Sequence, residues 1–111
     1  AEEGLRKTSL ELGIKNIFLD FRDALEKADF DAVVVVTPTK YHKELVLAAA
    51  NYGKHIFCEK PMAMNETECD DMIESAQKNK VKLQKKLVMQ QLKLLKLIWS
   101  YYSHLICGSK L

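Results

Sequence analysis

Four valines in a row, Val33 to Val36, sit inside the stretch DAVVVVTP with no alternation of apolar and polar positions. A strand apolar on both faces is covered on both faces, the pattern of a central strand in a parallel sheet. Thr37-Pro38 ends it, because proline has no N–H to give to a ladder. HIFCE, His55 to Glu59, is a second short apolar run, and Pro61 ends it. VKLQ, Val81 to Gln84, reads as a further strand, and NIFLD, Asn16 to Asp20, as a short one.

Between these runs the apolar period is helical. Residues 1–12 carry a weak apolar face of Leu5, Leu10 and Leu12, and Gly13 suits a helix stop. Phe21, Leu25 and Ala28 follow at helical spacing, with Asp20 placed to cap them. HKELVLAAANY sets Leu45, Ala48, Ala49 and Tyr52 along one side, and Gly53 closes it. Asn65 stands three residues before Glu68, as in a capping box, and acids crowd the turns that follow. Cys69, Met72, Ile73 and Ala76 then form one apolar face. Helices alternating with buried strands predict right-handed crossovers and an open parallel sheet, hence an α/β fold.

In such sheets ligands bind outside the carboxyl ends of the strands. Two polar groups fall there: Thr37-Pro38-Thr39 with His42, and Glu59-Lys60-Pro61. Adjacent parallel strands would put both on one rim. Lys60 leaves a buried strand and enters a crevice, so partial desolvation is expected. A lysine so placed can hydrogen-bond a substrate hydroxyl or help pass its proton; the plain alternative is a surface lysine paired with Glu59. His42, near a helix start, reads as a capping or packed histidine or as a ligand contact. His55-x-x-Cys58 has metal-like spacing, but on a strand those side chains point to opposite faces, so no metal site is expected. The valines, Met62, Met64 and Met72 read as packing.

Composition narrows the classes. A chain of 111 residues is one domain at most, and a formal net charge of +2 makes no case for nucleic acid. The charge is uneven: residues 85–111 hold five lysines and no acid, against 12 basic and 15 acidic residues before them. Cysteines at 58, 69 and 107 form no C-x-x-C pair, which argues against a disulfide framework or structural zinc and fits a reducing cytoplasm. AEEGLRKTSL has no signal-peptide pattern. Lys93 and Lys96 interrupt the longest apolar stretch, short of the roughly 18 residues a transmembrane helix needs.

The ordered features, a strand ending in Thr37-Pro38, His42, then Gly53-Lys54-His55, then Glu59-Lys60-Pro61, then a helix, resemble the Gfo/Idh/MocA oxidoreductases (glucose–fructose oxidoreductase, inositol dehydrogenase and relatives). The resemblance runs over about residues 10–84 and is strongest from Asp31 to Gln84. It implies that residues 1–84 are the later part of an NAD(P)-binding Rossmann domain, an incomplete Rossmann-like parallel sheet with flanking helices. The implied activity is hydride transfer between NAD or NADP and a hydroxyl of a sugar, inositol or similar polyol; a homo-oligomer is a candidate assembly, and the sequence does not set the oligomeric state. Lys60 would stand beside the nicotinamide and contact the reacting hydroxyl. Glu59 and Pro61, often a cis-proline there, would shape that end of the cleft. Thr37, Pro38 and Thr39 would line the cofactor with His42 close by; relatives often carry asparagine where this chain has Thr39.

Two departures set further expectations. The family's Gly-rich G-x-G-x-x-G turn is missing, since Gly4, Gly13, Gly53 and Gly108 are isolated, and no Asp-x-x-x-His pair follows Gln84. The chain is therefore expected to be a fragment, inactive alone. From Lys85 the sequence leaves the pattern. Val88, Leu92, Leu95, Trp99 and Tyr102 make one helical stripe. It reads as an amphipathic helix on a truncated sheet, as a membrane or partner helix, or as the product of a shifted reading frame, the reading carried forward. A non-enzymatic interaction module, using this tail or the sheet edge, is the competing class.

Overall fold

A computed structural model describes residues 2–84; the predicted C-terminal helix lies outside them. The described chain divides into two compact units, residues 2–30 and 31–84.

The first unit holds helix α1, Glu2–Leu12, and helix α2, Phe21–Lys27. Gly13, at φ 67°, ends α1 as predicted: the N–H of Ile14 donates to Ser9 O at 2.8 Å, closing the Schellman turn that only a left-handed residue permits. The apolar face of α1 is as weak as its sequence, with no residue buried. Asp20 caps α2, its carboxylate accepting from the Arg22 N–H at 2.9 Å. Ile14, Ala24, Leu25 and Phe30 are buried. The strand expected at Asn16 to Asp20 does not form. A strand exists only by pairing, and no described strand ladders with this stretch.

The second unit is a three-stranded parallel sheet in the order β1-β2-β3: β1 is Ala32–Val35, β2 is His55–Cys58 and β3 is Leu83–Gln84. Helix α3, His42–Asn51, makes the first crossover and α4, Glu66–Lys78, the second. A 3₁₀ turn, Thr39–Tyr41, leads into α3. The central strand is β2, not the valine run. In β1 only Val35 is buried; Val34 is exposed and Val36, 66% exposed, lies beyond the strand. Among the described residues β1 is an edge strand, and Val34 and Val36 lack the cover its composition implies.

The core lies between sheet and helices. Val46, Ala49 and Ala50 of α3, Ile56 and Cys58 of β2, and Met72 and Ala76 of α4 are buried. The buried face of α3 runs through His42, Leu45, Val46, Ala49 and Ala50, turned from the predicted one, and Tyr52 is exposed. On α4 Ile73 is exposed while Met72 is fully buried. Met64, expected to pack, is also exposed. Lys43 and Asp71 pair at 2.7 Å and tie the start of α3 to α4; Asn79 donates to Asn51 at 3.4 Å near the opposite ends.

Candidate functional site

Register builds the site. Val35 pairs with Cys58 at the last rung of the β1–β2 ladder, and the N–H of Glu59 donates to Val35 O at 2.9 Å. Both strands therefore end at one height. Thr37-Pro38-Thr39 and Glu59-Lys60-Pro61 leave the sheet on the same rim, as the sequence predicted. The Lys60–Pro61 peptide is cis.

His42 opens α3 but gives its helix no side-chain cap. It is instead 1% exposed, buried beneath the rim. Its Nε2 lies 2.7 Å from Thr37 O, and its Nδ1 lies 3.1 Å from both Pro61 O and Met62 O and 3.3 Å from Cys58 Sγ. One ring thus touches both rim segments.

Glu59 does not pair with the ammonium of Lys60. Its carboxylate accepts from the backbone N–H of Lys60 at 3.0 Å. Among the described residues no acid pairs with Lys60, whose side chain is exposed. The expected desolvation is not found: Lys60 is exposed, and no described element walls it in. Thr37 Oγ1 is buried and has no hydrogen-bond partner. A buried hydroxyl without a partner costs stability unless something supplies one. An orphaned hydroxyl and a free ammonium on one rim suit a polar ligand such as a dinucleotide.

Reasoning from sequence missed Cys58 as part of this cluster. Its signal was parity: Ile56 and Cys58 alternate onto one buried face, beside the helix that begins at His42. Burial, with the negative charges of Glu59 and Cys69, pushes the Cys58 thiol up to about 11, so it is no nucleophile at neutral pH. His55 is exposed, and its Nδ1 accepts from the Lys82 N–H at 3.0 Å. No group of residues among those described could hold a metal ion, and no helix among them is long and apolar enough to cross a membrane.

A parallel βαβαβ sheet with polar turns gathered at its carboxyl rim defines a Rossmann-like nucleotide-binding fold. The model of an oxidoreductase family with an NAD-binding Rossmann fold matches residues 2–87, and the chain belongs to that family, Gfo/Idh/MocA. It is 40% identical over 77 residues to myo-inositol 2-dehydrogenase of Thermotoga maritima, covering 69% of this chain and 23% of that protein. The structure of a probable dehydrogenase from Thermotoga maritima superposes with a TM-score of 0.76 at 34% identity, over 93% of this chain and 32% of that one. The WlbA dehydrogenase from Bordetella pertussis, solved with NADH and UDP-GlcNAcA, gives a TM-score of 0.74 at 26% identity, over 92% of this chain and 30% of that one. The chain thus spans about a quarter of the length of the curated relative it matches at 23%.

Proposed function

We propose that residues 1–84 are the later part of an NAD(P)-binding domain that oxidises a hydroxyl of inositol, a sugar or a similar polyol. The observation that carries this reading is the shared rim. Lys60 stands there exposed, with no acid paired to it among the described residues, on the rim that also carries the Thr37-Pro38-Thr39 turn. The names of the relatives, inositol and nucleotide-sugar dehydrogenases, support the substrate class.

In this reading Lys60 is the catalytic residue. Its N–H donors hold the substrate oxygen and help pass the hydroxyl proton on. Bound NAD or NADP would supply the hydride acceptor. Thr37 offers its orphaned hydroxyl to the cofactor, and Pro38 and Thr39 give it a surface. Glu59 braces the turn through the Lys60 N–H, and Pro61 fixes the path of the chain away from it. Hydride transfer needs both reactants in one geometry, and the 111 residues contain no Gly-rich turn for a pyrophosphate. The chain alone is therefore expected to give no turnover.

The test is a chimera. The matched stretch of the Thermotoga maritima myo-inositol 2-dehydrogenase is replaced by that of this chain, and formation of reduced nicotinamide from myo-inositol is followed. The chimera should turn over, and Lys60→Ala should lower kcat by about 10²–10⁴-fold. A Lys60→Ala chimera as active as its parent would sink the assignment. A second reading, an interaction module, draws on the exposed edge of β1 at Val34 and Val36. Concentration-dependent self-association of the purified chain, abolished by Val36→Lys, would favour it.

A further inference from the structure

The turn that carries Lys60 has close neighbours on both sides. Ahead of it, the Glu59 N–H is bonded to Val35 O at 2.9 Å. Behind it, the Pro61 and Met62 carbonyls both lie 3.1 Å from Nδ1 of His42. The Lys60 N–H bond to Glu59 lies within the turn and would move with it. Of the side chains around the turn, His42 is the one that touches both its far side and the other rim segment. Carbonyl oxygens only accept, and an imidazole with one N–H donates from one nitrogen only: Nε2 donates to Thr37 O at 2.7 Å, and Nδ1 accepts from the Cys58 thiol at 3.3 Å. Both ring nitrogens are thereby engaged within the protein. At 1% exposure the ring has no face to offer a ligand.

We propose that His42 is a positioning residue for Lys60. Through Thr37 O and the Cys58 thiol it binds the end of β1 to the last residue of β2, directly ahead of the turn, and so sets where the lysine stands on the rim. The catalytic meaning of this tie rests on the reading of Lys60 given above; the tie itself does not. Its chemistry suits the task. Imidazole is short, flat and stiff, and it presents two nitrogens in opposite directions. One buried side chain can therefore fix the spacing of two loops, and loss of such spacing near a reacting group can cost about 10²-fold in rate for a displacement of about 1 Å.

The test uses three variants, because His42→Ala removes the tie and also leaves a cavity. Asparagine reaches the Nδ1 position and glutamine the Nε2 position. Backbone amide signals of the 111-residue chain are recorded by two-dimensional NMR. His42→Ala should shift Thr37, Lys60 and Met62, while Asn51 and Asn79 at the far ends of α3 and α4 stay in place. His42→Asn should restore Lys60 and Met62, and His42→Gln should restore Thr37. Equal shifts at all five positions in every variant, or no shift at Lys60 in His42→Ala, would overturn the proposal. In the chimera, His42→Ala should lower kcat by about tenfold or more with little change in KM for the dinucleotide, and His42→Asn should recover most of it. A fall in dinucleotide affinity with kcat preserved would also overturn it. A chimera inactive with both His42 and Lys60 intact would refute the hydride-transfer reading instead, with the NMR result still deciding the tie.

Discussion

Val35 and Cys58 face each other as the last paired residues of β1 and β2, and each is followed three residues later by a proline, Pro38 and Pro61. Proline cannot continue a ladder. Two prolines at equal distance past one rung therefore stop both strands at the same height. The rim is a consequence of that matched punctuation, and every polar group assigned to the site lies within a few residues of it.

Cys58 makes the site's stability depend on pH in a stated direction. Its thiol is pushed from 9.0 up to about 11, chiefly by burial. Below pH 9 the thiol is protonated in both folded and unfolded chains, and its contribution is fully present. As pH rises from 9 towards 11 the unfolded chain loses the proton while the folded one keeps it, so stability falls through that window. Lys43 and Lys27, held above 10.5 by bonds to Asp71 and Asp23, lose their contributions only at higher pH. Thermal midpoints between pH 8 and 10.5 should therefore decline with pH, and Cys58→Ala should flatten the slope whatever it does to the midpoint itself. An unchanged slope in Cys58→Ala would contradict this account.

Two methionines separate packing from mere hydrophobicity. Met72 is fully buried on α4, whereas Met64 is 62% exposed just before that helix. Met72→Ala should cost about 2–5 kcal/mol through lost transfer energy and a residual cavity. Met64→Ala should stay within about 0.5 kcal/mol. Urea unfolding measures both as shifts of the midpoint at constant slope.

The difference between those methionines was not legible in the sequence, where both read as packing. Local signals survived well: Gly13 and Gly53 end their helices at positive φ, and Asp20 and Asn65 cap theirs. Each needs only its neighbours in sequence. Signals that depend on a partner fared less well. The valine run promised a central strand and is an edge among the described residues, because centrality depends on which strands lie alongside. Asn16 to Asp20 has strand-like residues but no ladder. Position in the sequence placed Glu59 and Lys60 on the rim, while the contacts of His42 were not legible, since Pro61 and Met62 lie 19 and 20 residues away in sequence.

The cap at Asn65 offers a direct check on local chemistry. Its side chain accepts from the Glu68 N–H at 2.9 Å, while Glu68 reaches back to the Met64 N–H at 3.0 Å, one residue short of the usual reciprocal bond. Asn65→Ala should cost about 1 kcal/mol. Asn65→Asp should hold stability near the parent at neutral pH, because aspartate caps as well as asparagine. If Asn65→Ala leaves the thermal midpoint unchanged, the bond contributes nothing.

Lys80 shows where this chain can be made more stable. It follows α4 at φ 55°, the left-handed region that glycine occupies after α1 and α3. The hydrogen bonds are those of the same motif: the Val81 N–H donates to Ala76 O at 3.0 Å and the Lys80 N–H to Gln77 O at 3.1 Å. A side chain with a Cβ pays roughly 1–2 kcal/mol for that conformation. Glycine avoids this cost but loses about 0.5–1 kcal/mol through the greater freedom of its unfolded chain. The balance favours Lys80→Gly by about 0.5–1 kcal/mol, since the lysine side chain is exposed and forms no ion pair among the described residues. The midpoint should rise by a few degrees. Lys80→Ala separates the two effects: it removes the ammonium but keeps the Cβ, and its midpoint should stay near that of the parent. If alanine stabilises as much as glycine, the gain comes from charge or side-chain entropy and not from relief of the backbone.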